Sequence, residues 1–353
     1  MKKKSMSVAI LALCAAMLLN ACGSSATAST AEASTAPAST DATASTAAST
    51  AAAESKAATK KLNIGSVILN TSGEWFSEVI NGMNAAAKDL DVNIQIASAD
   101  NDVSKEADQL DNFIAQKVDG ICVSPQNSAA SIPAFERVVA ANIPIVAWNT
   151  NVESDKSKYF VGVDNAELGS KTGEYFANYV KTKMGGKAKV AVIGIHKYEI
   201  GLDRVNGFLK QAKTVPGIDI IANQDAELKE EGMKITENIL QAHPETQVIW
   251  CWNQTSLEGC IAALKGLNRT DIKVMGTDMS VSLAKTMLED KSFLMAITTQ
   301  QPYKLGYDAV KNAVSLAKGQ TVDAKDLIPV LTYSTDDKPS IQKYIDERKD
   351  LVK

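Results

Sequence analysis

The sequence predicts an α/β protein of two lobes, each built around a doubly wound parallel sheet. Short β-branched runs alternate with longer stretches of helical periodicity, which is typical of βαβ units. The strand candidates are continuous apolar runs, as expected for strands that are covered on both faces. About 290 residues follow the N-terminal segment, which is too long for one comfortable core. The units divide into two sets near residue 164, so we expect two lobes rather than one long sheet.

The predicted elements follow each other in strict alternation within each lobe. The strand candidates cover 62–69, 92–97, 120–124, 145–148 and 159–163, followed by 189–195, 219–222, 248–252, 273–276 and 294–298. The first helix carries an apolar stripe from Trp75 to Leu90 at i, i+3, i+4 spacing. The other predicted helices cover 105–116, 131–141, 168–182, 204–213, 231–242, 257–267, 282–288 and 303–317.

The N-terminus has the pattern of an export signal. Lysines at 2–4 precede an apolar run at 8–19 that is too short to span a bilayer, which needs about 20 residues. The run ends in Leu-Asn-Ala-Cys22, which resembles the bacterial lipobox, whose cysteine receives a diacylglycerol. We therefore predict a lipoprotein signal peptide at 1–21 and lipidation of Cys22.

The segment after the lipobox is predicted to be a tether. Residues 22–59 are mostly Ala, Ser and Thr and cannot bury enough apolar surface to form a core. Loss of the three signal lysines lowers the formal net charge from −4 to −7, and such an acidic chain is a poor partner for nucleic acid. We expect an extracytoplasmic protein held at the cell membrane by its lipid, at the cell surface or in the periplasm.

The remaining cysteines do not form a disulfide framework. Cys14 lies in the signal peptide, and Cys122 lies in an apolar strand, where it is most simply a small buried hydrophobe. Cys251 and Cys260 are close enough in sequence that a bridge between them stays open.

Polar and aromatic side chains follow the predicted strands where ligands bind in doubly wound sheets, outside the carboxyl ends. Aromatic rings can stack on the C–H faces of a sugar while amide, acid and guanidinium groups pair with its hydroxyls. The residues at these strand ends are Trp75, Phe76, Trp148, Asn149, Arg204, Asn253, Asp278 and Gln300. His196 also follows a strand and is a further candidate. Together these residues indicate a desolvated site for a polyol.

From residue 62 to about 332 the sequence resembles the ribose-type periplasmic sugar-binding proteins, which serve ABC transporters and have the type I periplasmic binding protein fold. The resemblance rests on the order and spacing of several short motifs. They are Val118-Asp-Gly-Ile, Ala141-Asn-Ile-Pro-Ile-Val, Val161-Gly-Val-Asp-Asn165, Arg204-Val-Asn-Gly-Phe208, Ala242-His-Pro-Glu245, Val274-Met-Gly-Thr-Asp278 and Gln300-Gln-Pro302.

The resemblance implies two lobes joined by a three-strand hinge, with crossovers near 163–164, 299–300 and 330–332. The N-terminal lobe would then comprise 62–163 plus 301–330, and the C-terminal lobe 164–300 plus 331–353. It also implies a partner permease, a monomer, and no cofactor or metal.

By position, the resemblance places the family's stacking aromatics on Trp75 and Phe76. The family's ligand-binding polar residues fall on Asn149, Arg204, Asn253, Asp278 and Gln300. The ribose pattern has an Asp-Arg pair where this chain has Asn149-Thr150, and an aromatic where it has Glu227. Glu227 is a further candidate at this position, as Trp148 and His196 are by their places at strand ends, and another sugar, a polyol or a furanose is as good an expectation as ribose.

Other functions are less well supported. The chain has two histidines, and none of its Ser, Cys or His residues lies in a catalytic or metal-binding motif, so we do not expect an enzyme. A LacI-type repressor shares this fold by resemblance, but it would need a DNA-binding segment where this chain has an export signal. A protein that presents its ligand to a chemoreceptor or sensor kinase would use the same binding chemistry, and this alternative stays open.

Overall fold

The chain forms two six-stranded sheets flanked by helices. The structure is a computed structural model that describes residues 60–152, 154–155 and 157–349. The predicted signal peptide, the lipidated Cys22 and the linker at 22–59 lie outside the described residues.

The first lobe contains the first sheet and the four helices packed on it. Its strands are β1 (Asn63–Ile68), β2 (Asn93–Ser98), β3 (Gly120–Val123), β4 (Ile145–Trp148), β5 (Phe160–Gly162) and β11 (Lys325–Leu327). Its helices are α1 (Glu74–Asp89), α2 (Val103–Gln116), α3 (Ile132–Ala140) and α9 (Pro302–Ala317). The strand order is β2-β1-β3-β4-β5-β11, and every neighbouring pair is parallel.

The second lobe repeats this topology. Its strands are β6 (Lys187–Gly194), β7 (Gly217–Asp225), β8 (Val248–Cys251), β9 (Lys273–Thr277), β10 (Leu294–Thr299) and β12 (Leu331–Ser334). Its helices are α4 (Asn165–Lys183), α5 (Glu199–Ala212), α6 (Lys229–Ala242), α7 (Gln254–Gly266), α8 (Val281–Leu288) and α10 (Lys338–Asp346). The strand order is β7-β6-β8-β9-β10-β12. The predicted two-lobe α/β class is confirmed.

The strands are buried on both faces, which explains their unbroken apolar runs. In β3, Ile121, Cys122 and Val123 are all fully buried. Cys122 belongs to the apolar cluster on one side of the sheet, whereas Ile121 and Val123 belong to the cluster on the other side. Because successive strand residues point to opposite faces, a strand between two helical layers has no polar face.

The chain passes between the lobes three times: from β5 to α4, from β10 to α9, and from β11 to β12. Each passage starts at the carboxyl end of a strand, so the edges of the two sheets at which ligands bind in such folds are the edges that the hinge joins. The lobe boundaries given above remain a prediction at the level of single residues.

Sequence reasoning missed β11, β12 and α10, and the second sheet is not fully parallel. β12 runs antiparallel to β10, and Leu331 at its start pairs with Thr299 at the end of β10. The reason is the direction of entry: the chain arrives from β11 at the hinge-side edge of the second sheet and must run away from it. Strands this short carry little periodicity, so their pattern is weak in the sequence.

The prediction that Arg204 starts a helix is wrong. The helix α5 begins five residues earlier, at Glu199, whose acidic side chain suits a helix N-terminus. Gly201 obscured this start in the sequence, but it is needed for packing, since a Cβ there would lie 2.0 Å from the Ile195 side chain. Arg204 therefore projects from the body of α5.

Glycines let α4 and α5 approach closely, and this positions Arg204. A Cβ on Gly169 of α4 would lie 1.8 Å from the Arg204 carbonyl oxygen, and one on Gly207 of α5 would lie 2.1 Å from the Ala166 carbonyl oxygen. The backbones are thus nearly in contact, which places Arg204 beside the first turn of α4.

The described cysteines, Cys122, Cys251 and Cys260, are free and buried. The bridge between Cys251 and Cys260 that the sequence left open is therefore not formed. Within the described ranges, no helix has both the length and the apolar character needed to cross a membrane.

Candidate ligand-binding site

A buried ion pair lies at the carboxyl edge of the second sheet. The Arg204 side chain donates from Nη1 to Asp278 Oδ2 over 2.7 Å, and the two residues are only 3% and 6% exposed. The other Asp278 oxygen, Oδ1, accepts a hydrogen bond of 3.2 Å from Gln300 Nε2. Charge-assisted bonds in such a water-poor setting are stronger than neutral ones. The structure thus brings together three residues that the sequence placed at three different strand or helix positions.

A left-handed backbone conformation orients two of the predicted site residues. Asp278 follows β9 with φ of 66°, and Asn149 follows β4 with φ of 63°. Among residues with a side chain, Asn and Asp best tolerate this left-handed conformation, because their short polar groups can bond locally. An Asn or Asp directly after a buried strand is therefore a sequence signal for a turn at a sheet edge.

Arg204 is held by three further acceptors, two of which belong to side chains that sequence reasoning missed. Its Nε donates to Asn165 Oδ1 over 2.9 Å, and its Nη1 lies 3.1 Å from the Trp252 carbonyl oxygen and 3.3 Å from Thr277 Oγ1. Asn165 opens α4 just after the first passage between the lobes, and Thr277 ends β9. Both residues lie within motifs on which the family resemblance rests, and this was the available signal. The guanidinium is thus held by groups of the protein itself.

Gln300 leaves one acceptor open in this network. It follows β10, is 3% exposed, and its Oε1 is a buried oxygen without a hydrogen-bond partner. Buried polar atoms are normally paired, so an orphan oxygen beside a fixed ion pair marks a place where a donor is missing. A ligand hydroxyl would supply that donor.

The first lobe contributes an aromatic group. Trp75 and Phe76, in the first turn of α1, are both half-buried, and their rings meet edge to face with centroids 4.9 Å apart. Trp148 at the end of β4 is fully buried, and its ring stacks on Trp75 at 6.4 Å. Trp148 therefore supports Trp75 from the core rather than offering a face of its own.

Asn149, on the same sheet edge, is 8% exposed. Its Nδ2 lies 3.4 Å from Ser124 Oγ at the end of the neighbouring strand β3. That contact is at the long end of the hydrogen-bond range, so most of the donor and acceptor groups of the Asn149 amide remain available for a ligand.

Direct hydrogen bonds join the two lobes, and one of them lies beside Trp75 in sequence. Glu74, the neighbour of Trp75, accepts a 2.7 Å bond at Oε1 from the backbone N–H of Val281, three residues after Asp278. At another point, Ser128 of the first lobe donates to Glu199 of α5 over 3.1 Å. Burial raises the pKa of Glu74, against the lowering effect of the Val281 N–H.

The other predicted residues are engaged elsewhere. Asn253 caps α7 by accepting from the Ser256 N–H at 2.9 Å, and its Nδ2 donates to the Glu227 carbonyl oxygen at 3.1 Å. The Glu227 carboxylate pairs with Lys197 Nζ at 2.7 Å, and this pairing raises the pKa of Lys197.

His196 is exposed, and its ring pairs with Asp225 on the edge strand β7. The structure does not place the His196 ring in the Arg204–Asp278–Gln300 network.

A separate hollow of about 490 Å³ lies between α9 and β11. Several of its lining groups pair with each other: Lys304 with Asp308, and the Asn312 amide with Asp326 at 3.2 Å. In the part of the chain that the structure describes, no cluster of three or more His, Cys, Asp or Glu residues could hold a metal ion. The sheet-edge group is thus the better candidate site.

Comparison with known proteins points to one family. A family model described as a periplasmic binding protein domain matches residues 64–321. Among curated proteins, the ABC transporter periplasmic-binding protein YphF of Escherichia coli is 29% identical over 299 residues, which covers 81% of this chain and 90% of that protein. The ribose import binding protein RbsB of Bacillus subtilis is 28% identical, covering 74% and 84% respectively.

A solved structure has the same fold over nearly the whole described chain. It is an ABC transporter periplasmic solute binding protein of Actinobacillus succinogenes with bound D-allose. The two chains are 26% identical and superpose with a TM-score of 0.74, covering 80% of this chain and 100% of that one.

Proposed function

This chain belongs to the periplasmic binding protein domain family, the sugar-binding, non-enzymatic substrate-binding proteins of ABC transporters, and from that premise we propose a specific binding site. The resemblance predicted from the sequence is thereby confirmed. We place a sugar or similar small polyol between the lobes, with Arg204, Asp278 and Gln300 on one side and Trp75, Phe76 and Asn149 on the other.

The observation that carries the proposal is the fixed Arg204–Asp278–Gln300 network with its one orphan acceptor. A sugar hydroxyl donates and accepts at once, so it can donate to Gln300 Oε1 and accept from a neighbouring donor. The preset ion pair saves the ligand the cost of ordering these side chains. Trp75 supplies the apolar face on which sugar C–H groups stack.

Closure follows from this arrangement as a shift between two states. A ligand that contacts both lobes stabilises the closed form relative to the open one by its extra contacts, and hinge motion about the three passages supplies the change. Micromolar affinity corresponds to about 8 kcal/mol, which a stacked ring and several paired hydroxyls can provide. The closed form then presents its lobes to the permease, and a monomer suffices for this role.

A thermal-shift screen tests the proposal. The purified protein is heated with members of four ligand classes: pentoses, hexoses, cyclic polyols such as myo-inositol, and nucleosides. We expect at least one sugar or polyol to raise the melting temperature in a concentration-dependent way, since a ligand at 100 times its dissociation constant adds about 2.7 kcal/mol. The Gln300→Leu variant, which removes the orphan oxygen and fills its space, should lose that shift. Stabilisation by nucleosides alone, or an undiminished shift in Gln300→Leu, would contradict this site.

We also propose that the mature protein is anchored through lipid on Cys22. The support is the basic segment, the short apolar run and the Leu-Asn-Ala-Cys22 sequence. Cells fed a labelled fatty acid should label the wild-type protein and the Cys14→Ala control but not Cys22→Ala. Label retained in Cys22→Ala would rule the anchor out.

A further inference from the structure

A buried carboxylate on α1 is bound entirely from the other lobe. The Glu78 side chain is 2% exposed, and Arg348 Nε lies 3.1 Å from each of its two oxygens. The Tyr344 hydroxyl lies 3.3 Å from Oε1. Arg348 in turn sits over the Tyr344 ring, with Cζ 3.7 Å from its centroid, so ring and guanidinium position each other.

The partners of Glu78 belong to the second lobe. Helix α10 packs on α8 and β12, and its residues Ile341, Tyr344 and Ile345 are part of the second-lobe core. Arg348 directly follows this helix and is largely covered, with 16% of its side chain exposed. The ion pair therefore joins residues 270 positions apart in sequence and crosses from lobe to lobe.

The same contacts lead to the ligand site. The Tyr344 hydroxyl also lies 3.1 Å from the carbonyl oxygen of Met279, the residue after Asp278. One turn before Glu78 on the same face of α1, Glu74 accepts from the Val281 N–H at 2.7 Å. Glu74 thus contacts the segment that directly follows Asp278, and Glu78 reaches the same segment through Tyr344.

These contacts have an energetic consequence for lobe closure. In this arrangement the Glu78 side chain is 2% exposed, and burial raises the pKa of its carboxyl against the lowering effect of Arg348. A buried charge of this kind is stable only while its partner is present, because a lone buried charge is strongly destabilising. If the lobes separated at this point, both groups would return to water. Arg348 therefore stabilises the buried Glu78 carboxylate while the lobes are in contact.

We propose that Glu78, Arg348 and Tyr344 form an interlobe clamp that keeps the lobes together without ligand and positions Asp278 for binding. The clamp itself does not depend on the ligand; its effect on affinity rests on the proposed function. Apparent affinity falls in proportion to the closed fraction, so a drop of that fraction from one half to one twentieth weakens binding about tenfold. Glu78 and Arg348 are positioning residues, since neither lies in the group of proposed sugar contacts.

The test uses the ligand-free protein. We expect Glu78→Gln and Arg348→Gln to give a larger radius of gyration in solution scattering than the wild type, and faster amide exchange at Val281. Arg348→Lys keeps the charge and should restore much of the compactness. The matched control is Asp111→Asn, which removes a two-bond arginine–carboxylate pair with Arg137 that lies wholly within the first lobe.

The outcomes separate the clamp from a merely structural contact. Circular dichroism first establishes that each variant is folded, and if Glu78→Gln is unfolded, Arg348→Gln decides alone. Unchanged scattering and unchanged Val281 exchange in a folded Arg348→Gln variant would overturn the clamp. Because no sugar is present, the clamp can hold even if the thermal-shift screen finds no sugar, and the sugar site can hold if the clamp fails.

Discussion

Replacing Asp278 by Asn separates the charge of the buried pair from its shape. Asp278 uses one oxygen for Arg204 at 2.7 Å and the other for Gln300 at 3.2 Å. An asparagine has only one oxygen, so either Arg204 or Gln300 loses its acceptor, and the guanidinium is left as a buried charge without a counter-charge. Breaking a buried pair in this way costs about 3–5 kcal/mol. Because Arg204 keeps three other acceptors, we expect a loss near the lower limit, about 3 kcal/mol.

The assay is urea unfolding at neutral pH, followed by tryptophan fluorescence and circular dichroism together. Asp271→Asn is the matched control, since Asp271 pairs with Arg269 at 3.0 Å but is 65% exposed. Exposed pairs contribute about 0–1 kcal/mol, so Asp278→Asn should cost at least about 2 kcal/mol more than this control. An equal m-value, the slope of the unfolding free energy against urea concentration, would establish that both variants expose the same amount of surface when they unfold. If the two substitutions cost the same, the pair at Asp278 is not desolvated and the reasoning about the site is refuted.

Two further substitutions test the burial and the packing that position the site. Burial raises the pKa of Glu106, which is fully covered, from its usual 4.5, against the lowering effects of Ser131 and the Gln126 N–H. A raised folded-state pKa means that the stability contributed by Glu106 is lost as pH rises through that value, so Glu106→Gln should exceed the wild type in melting temperature at pH 7.5, and this advantage should shrink as the pH falls towards 4.5, the ordinary pKa of the carboxyl. An advantage that does not shrink in acid would contradict this account. Gly207→Ala should lower the free energy of unfolding by about 1–3 kcal/mol through the clash at the α4–α5 crossing, whereas Gly266→Ala, with open space around its Cβ, should cost nothing. Equal unfolding midpoints for the two alanine variants would show that the α4–α5 crossing accommodates a methyl group at position 207 without strain.

The local pattern of the sequence was sufficient for most of the secondary structure. All ten predicted strands and nine predicted helices are present, because buried parallel strands and amphipathic helices leave strong periodic signals. The pattern failed where elements are short or depend on distant partners. β11 and β12 are strands only because β5 and β10 offer them free edges. Gly201 hid the start of α5, and a glycine is required there because a side chain would collide with Ile195.

For the site, the sequence alone determined which residue types stand at the strand ends, because the alternation of strand and helix fixes which edge of a parallel sheet they reach. Only the tertiary structure decided which of them meet. It joined Arg204, Asp278 and Gln300 into one network, assigned Asn253 to a helix cap, and added Asn165. It also brought Glu78 against Arg348, 270 residues away. Contacts of this kind depend on how helices pack and how lobes close, and no local pattern in the chain encodes a distance across a cleft.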